Sequence, residues 1–360
     1  MDRREFLTIG AATVAALSTL AKPGSAQVRG TAPTLGTPIG WKNHLDAYSR
    51  TLHWLRTPDG VAQACHEIGN TTIDLTVRTY PAHVQPDKVK TDLPAFVNGL
   101  KREGITVTKI AMDINDASTP YVEDMLATAA ALGIHHTWWR GVGALDLSQG
   151  YQKGLDTQKM RTEPFAKLLA KYNFKACYHP GGGFTEVFDL CRAFDPKNIA
   201  IDYDTGNFGQ FNQGTLANQI RIAGPYVGSF VFKDLYIDHR TPEEIAAAAP
   251  PRGGGAADGG RDGGRGGVAP AGRGGGGGSP NGWSSRQVPV GTGVLNLPLI
   301  CQALKDIDFQ GPIECQPEWP ELGGPNRGSD TLSIPRAEVI RMLKRDFETV
   351  MAPLVSAGVV

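Results

Sequence analysis

The sequence predicts a closed (β/α)8 TIM barrel, and three observations carry that prediction. Eight short apolar segments with strand-like patterning recur along the chain. Segments with helical spacing separate them, and such alternation argues a parallel sheet with crossover helices. No GxGxxG follows the first strand, so the runner-up, an open doubly wound sheet with a dinucleotide site, lacks its signature. The 360 residues suit one large α/β barrel or two smaller domains, and 41% hydrophobic content supplies a sizeable core. Lys+Arg and Asp+Glu are both 36, which excludes a strongly basic nucleic-acid binder and an acidic solvating protein.

The chain opens with MDRREFLTIGAATVAALSTLAKPGSAQ: paired arginines, a short apolar run through Leu20, then small residues to Ala26. That is the build of a cleaved export segment over residues 1–26. Arg3-Arg4 before Phe6-Leu7 resembles a bacterial twin-arginine signal, which implies a folded, periplasmic or exported protein. The apolar run is too short and too rich in Ala and Thr for a membrane span, so no stable span remains after cleavage. Residues 27–45 read as a flexible tether, and the barrel domain as 46–360.

Within that domain, SRTLHWL (49–55) is the expected first strand, and 60–69 a helix that stops at Gly69. TTIDLTV (71–77) alternates as a second strand, followed by a helix over 93–103. Strands at 106–114 and 134–142 flank a helix at 119–132. Residues 164–172 lie in a helix, 174–180 form the next strand, and a helix at 184–194 follows. The sixth strand, NIAIDYD, alternates Ile199, Ile201 and Tyr203 and delivers Asp204 into the turn Thr205-Gly206-Asn207. A helix at 216–223, a strand at 227–235, a helix at 297–307, a strand at 311–319 and a long helix at 334–354 complete the set.

One block breaks the rhythm. Pro251–Pro280 holds fifteen glycines with interspersed arginines, and the whole of 249–282 is expected to be a disordered insertion in the seventh loop. Arginine-glycine runs can bind RNA, but this one is short, carries Asp258 and Asp262, and reads as a passive insertion. The five cysteines show no CxxC spacing and read as small buried hydrophobes.

In a barrel of this kind the carboxyl ends of the strands face one pocket. The residues that collect there are His53, Trp54, Arg78, Tyr80, Asp113, Asn115, Trp138, Trp139, Arg140, His179, Asp204, Asn207, Lys233, Asp234, Gln316, Glu318 and Trp319. Each alone has a dull explanation: Asp204 before Gly206 is an ordinary turn former, and Lys233-Asp234 an ordinary solvated turn. Together they supply aromatic faces with fixed donors and acceptors, which is what a carbohydrate requires.

Five stretches add a resemblance: 74–94, YHPGGG (178–183), DYDTGNFG (202–209), FVFKDL (230–235) and 288–319 with its Pro-x-Gly-x-Gly start. From about Asp46 onward the chain resembles the sugar phosphate isomerase/epimerase family of the xylose isomerase-like TIM-barrel superfamily. The resemblance implies a divalent metal (Mn, Mg, Co or Zn) held by acidic and histidine ligands, and a proton moved through an ene-diolate by two glutamates. The family's four-ligand pattern is altered here. His179 stands for the fifth-strand acid, Asn207 for a histidine and Val231 for another, and Gln316 falls at the last-strand ligand position between Glu314 and Glu318. The metal set carried over is Asp204, His179, Glu318 and Gln316, with His179, Glu318 and Lys233 as the acid–base groups. Substrate contacts are expected from His53, Trp54, Arg78, Asp113, Trp138, Arg140, Asn207, Asp234 and Trp319.

The reading that follows is an exported isomerase or epimerase that abstracts a proton next to the carbonyl of a sugar or keto-sugar, with a small carbohydrate and no nucleic acid as partner. Two alternatives stay open: a lyase or hydrolase acting on a keto-glycoside by the same first step, and a degenerate barrel that only binds carbohydrate.

Overall fold

The computed structural model describes residues 44–79, 82–179, 183–209, 215–239, 241, 243, 283–322 and 331–360. The expected export segment, nearly all of the tether and the glycine-rich insertion lie outside the described residues. So do Tyr80 and the first glycines of YHPGGG.

Eight parallel strands close into a barrel. They are β1 (Leu45–Tyr48), β2 (Thr72–Val77), β3 (Thr106–Met112), β4 (His136–Trp139), β5 (Lys175–Tyr178), β6 (Ile199–Asp204), β7 (Val227–Phe232) and, after a hairpin, β10 (Ile313–Cys315). The order around the barrel is β1-β10-β7-β6-β5-β4-β3-β2. The crossover helices are α1 (Pro58–Ile68), α2 (Val89–Arg102), α3 (Val122–Ala131), α4 (Tyr151–Lys171), α5 (Phe184–Cys191), the short α6 (Thr205–Gly209) with α7 (Leu216–Ala223), α8 (Leu297–Asp306) and α9 (Arg336–Ala357). None of the described helices is long and apolar enough to cross a membrane.

Local signals account for the helix ends. Thr57 caps α1 by accepting from the Gly60 amide, Pro58 starts it, and Gly69 ends it in the left-handed conformation. Asn296 caps α8 in the same way through the Leu299 amide.

Two expectations are corrected. The first strand is Leu45–Tyr48, and residues 49–52 form a 3-10 turn after it. Asp46 breaks the apolar look of that strand, but it pairs in register with Glu314 inside the barrel. The segment from Pro164 does lie in a helix, the fourth, which begins at Tyr151 and runs to Lys171. The seventh strand ends at Phe232, and β8 (Asp234–His239) pairs antiparallel with β9 (Trp283–Val288). His239 and Trp283 pair at the end of this hairpin.

The core lies between the sheet and its helices. Tyr203 of β6 stacks on Phe230 of β7 with ring centroids 5.4 Å apart, and Trp139 packs against Phe165 of α4. All five cysteines are free and buried, as expected of small core residues.

The barrel interior departs from the apolar filling usual in this architecture. At its centre Lys109 is fully enclosed, 2.7 Å from Glu314, 3.1 Å from Asp74 and 3.5 Å from Asp202. The ladder explains the cluster: Asp74 faces Lys109 across β2–β3. Burial penalises the Lys109 charge, but Asp202, Glu314 and Asp74 overcome it and raise its pKa. Burial pushes Glu314 and Asp74 up, and the Lys109 ammonium opposes that shift. Asp202 is driven the other way, against its burial, by Lys109 and His179, and it carries the balancing charge.

Candidate active site at the strand ends

Above this charged layer, β5, β6, β7 and the segment after β10 bring four ionisable side chains together. His179 follows β5, and its Nδ1 lies 2.7 Å from Asp202 of β6. Because Asp202 is ionised it can only accept, so Nδ1 carries a ring proton, and Nε2 faces Asp204 and Asn207. The edge of His179 also meets Trp138, with centroids 4.5 Å apart.

Asp204 ends β6 and performs two tasks with its two oxygens. Oδ1 accepts from the Gly206 and Asn207 amides at 2.7 and 3.1 Å, which is the turn-forming role. Oδ2 lies 2.9 Å from Lys233 Nζ and 3.6 Å from His179 Nε2. Lys233, one residue beyond β7, also reaches Glu318 at 3.0 Å. Burial disfavours the Lys233 charge, yet the two carboxylates raise its pKa above the ordinary lysine value. Burial likewise disfavours the Glu318 charge, but Lys233, Arg50 and the Gln287 amide hold its pKa down at about 2. Lys233 is thus an ammonium and Glu318 a carboxylate through the whole working pH range. Gly206 makes room for this: a Cβ there would stand 2.9 Å from the Lys233 Cβ.

These residues do not fit a divalent metal. The carboxylates that would hold it, Asp204 and Glu318, converge on the Lys233 ammonium, so a cation already stands between them. Among the described residues no group of three or more His, Cys, Asp or Glu side chains could hold an ion. Gln316 is buried at the end of β10, where its backbone amide bonds the Phe232 carbonyl.

The wall that Trp138 joins to His179 is cationic and aromatic. Asp113, just past β3, accepts from Arg140 Nε at 2.8 Å and faces Arg78 Nη1 at 3.6 Å. The two guanidinium carbons lie 5.3 and 5.5 Å from the Trp138 ring centroid. Tyr48 and Ala111 complete a small apolar cluster with Trp138 inside the barrel.

Several expected substrate contacts have structural duties instead. His53 caps the 3-10 turn, with Nδ1 at 2.8 Å from the Arg50 carbonyl, and the Trp54 indole donates to Thr51. Trp319 is buried and donates to Asp346 of α9 at 2.8 Å. The Asp234 carboxylate is wholly engaged by the amides of Leu235, Gly291, Gly293 and Leu295, and so latches the Pro-x-Gly-x-Gly segment. Asn207 stays at the site, its amide 3.4 Å from His179 Nε2. Sequence reading missed Asp202, Tyr48 and Arg50. Strand parity could have found Asp202, because it shares the inward face with Asp204.

The family description "Xylose isomerase-like TIM barrel" matches residues 62–341. No curated protein sequence matches the chain. Among solved structures, a xylose isomerase domain protein from Planctomyces limnophilus aligns with a TM-score of 0.54 at 14% identity, covering 89% of this chain and 98% of that one. A xylose isomerase-like TIM barrel protein from Mycobacterium smegmatis in complex with magnesium gives 0.54 at 14% identity, over 89% and 100% of the two chains. D-psicose 3-epimerase from Clostridium cellulolyticum H10 gives 0.54 at 12% identity, over 86% and 99%.

Proposed function

Since the chain belongs to the xylose isomerase-like TIM-barrel family, we propose that it is a sugar isomerase or epimerase in which a lysine ammonium does the work that relatives give to a metal. The observation that carries this reading is Lys233 Nζ, held 2.9 Å from Asp204 and 3.0 Å from Glu318, with His179 Nε2 3.6 Å from the same Asp204 oxygen. The fold shared with sugar epimerases supports the substrate class by analogy.

The chemistry is proton abstraction next to a carbonyl. His179 Nε2 removes the proton from the carbon beside the sugar carbonyl, and the C–H electron pair becomes the enolate double bond. The carbonyl oxygen gains the negative charge and takes a hydrogen bond from Lys233, whose ammonium is fixed in place before the reaction starts. Asp202 acts through His179: it holds the ring in the required tautomer and stabilises the imidazolium that forms. Returning the proton to the former carbonyl carbon, while the adjacent hydroxyl passes its proton to the enolate oxygen, gives isomerisation; a proton taken from solvent water on the opposite face of the enolate gives epimerisation.

The export reading rests on Arg3-Arg4-Glu5-Phe6-Leu7 and the apolar run behind it, and favours unphosphorylated sugars as substrates. The reaction is tested by following deuterium from D2O into pentoses, hexoses and their acid derivatives by NMR. Incorporation at a carbon next to the carbonyl, abolished by His179→Gln, is the expected result. A protein that binds sugars with no incorporation at any carbon would overturn the enzymatic reading.

A further inference from the structure

We infer that the substrate is a monoanionic sugar acid whose carboxylate binds Arg78 beside Trp138, the ring that also meets His179; this rests on the proposed reaction and narrows its substrate class.

The mouth is short of acceptors. Arg78 is 3% exposed, and its Nε and Nη1 are buried with no hydrogen-bond partner. Its nearest carboxylate, Asp113, stands 3.6 Å from Nη1, beyond hydrogen-bond length, and is already engaged by Arg140 at 2.8 Å. Arg50 Nε and Trp138 Nε1 are likewise buried donors without acceptors. Leaving a charged donor buried and unsatisfied is costly, so an acceptor is expected to arrive with the ligand.

These donors converge on one place. The Arg78 guanidinium lies over Trp138, which meets His179 at its edge. Tyr48 shares a cluster with Trp138, and both Arg78 and Arg50 act electrostatically on its hydroxyl. Arg50 acts on Glu318 as well, the partner of Lys233. One substrate can therefore touch Arg78 at one end and His179 and Lys233 at the other.

Charge chooses the kind of anion. The mouth holds Arg50, Arg78, Arg140 and Lys233 against Asp113, Asp204 and Glu318, with His179 tied to Asp202 and Asp202 balanced by Lys109 below. At the strand ends the four named cations outnumber the three named carboxylates by one, which matches a single carboxylate better than a phosphate dianion. Guanidinium and carboxylate also match in shape and form strong charge-assisted bonds. The neutral sugar face left over would rest on Trp138.

The test is calorimetric binding of D-glucuronate and D-galacturonate, the matching neutral hexoses and their 6-phosphates to the wild-type chain, Arg78→Met and Arg78→Lys. Circular dichroism checks that each variant is folded, and Arg50→Gln serves as a further variant away from the barrel centre. The expected result is uronate binding tighter than hexose or hexose phosphate, weakened by added salt. Arg78→Met should weaken it about 10- to 100-fold and Arg78→Lys less, with hexose binding unmoved. Tighter binding of the neutral hexose, tighter binding of the phosphate, no effect of Arg78 or Arg50 replacement, or no binding of any of the three classes would overturn the inference. Uronate binding with no deuterium exchange leaves the inference standing and removes the proposed reaction; exchange into neutral hexoses alone does the reverse.

Discussion

Lys233 decides what its neighbours can do. With Glu318 held at about 2 and Lys233 raised, neither group changes charge near neutral pH, so both serve as fixed charges and the mobile proton belongs to His179. Asp202→Asn tests the orientation of that histidine. The amide can donate to Nδ1 and so favours the wrong tautomer. Turnover should fall about 100- to 10,000-fold with a much smaller change in KM, measured by steady-state kinetics on the substrate found in the deuterium screen. A loss in Asp202→Asn carried mainly by a raised KM would instead point to a damaged pocket. Asp46 offers a residue-scale stability test. Burial raises its pKa from 3.8 to about 7, although its bond to Thr108 opposes the shift. The folded state then keeps a proton that the unfolded chain releases, so the Asp46 contribution is fully present below about pH 4 and is lost as pH rises to about 7. Buried His83 and His136, lowered to about 4 by desolvation, contribute stability above pH 6.5 that is lost as pH falls toward 4. Wild-type stability should therefore be flatter across this window than that of Asp46→Asn, whose urea midpoint should rise more steeply with pH.

At the scale of elements, strand parity explains both what the sequence revealed and what it hid. Ile199, Ile201 and Tyr203 marked β6 plainly, and the inward residues Asp202 and Asp204 went with them. The same parity disguised β1, because an inward Asp46 in a strand of four residues breaks the apolar run that would have advertised it. Lys233 was legible as a residue, but its place between Asp204 and Glu318 depends on three strand ends meeting, which no local pattern records. Asp234 beside it looked equally functional and proves to be a latch on backbone amides. The Gly-Pro opening of β10 has a direct structural cause. A Cβ on Gly311 would come within 2.1 Å of the Gly228 carbonyl oxygen on β7. Gly311→Ala should force these two segments apart and cost about 1–3 kcal/mol, read as a lower urea midpoint.

At the scale of the whole molecule, the barrel closes through eight parallel pairings, and the β8–β9 hairpin stands outside that ring. The closed fold was legible because alternating strands and helices leave few other arrangements. The hairpin was not, since FVFKDLYIDH reads as one continuous strand until Lys233 turns inward. Because His239 pairs directly with Trp283, residues 240–282 can be replaced by a two-residue Asn-Gly turn without disturbing the ladder. The shortened chain should keep its melting temperature within a few degrees, as followed by circular dichroism, and loop length adds only slowly to the cost of closure.

Chelation addresses the substitution of lysine for metal most directly. The wild-type chain, dialysed against EDTA and 1,10-phenanthroline, should keep its rate of deuterium incorporation, and Lys233→Met should lose about 100- to 1,000-fold that no added Mn²⁺ or Mg²⁺ restores. Loss of wild-type activity on chelation, restored by a divalent ion, would contradict the account and return Asp204, Glu318 and His179 to the role of metal ligands.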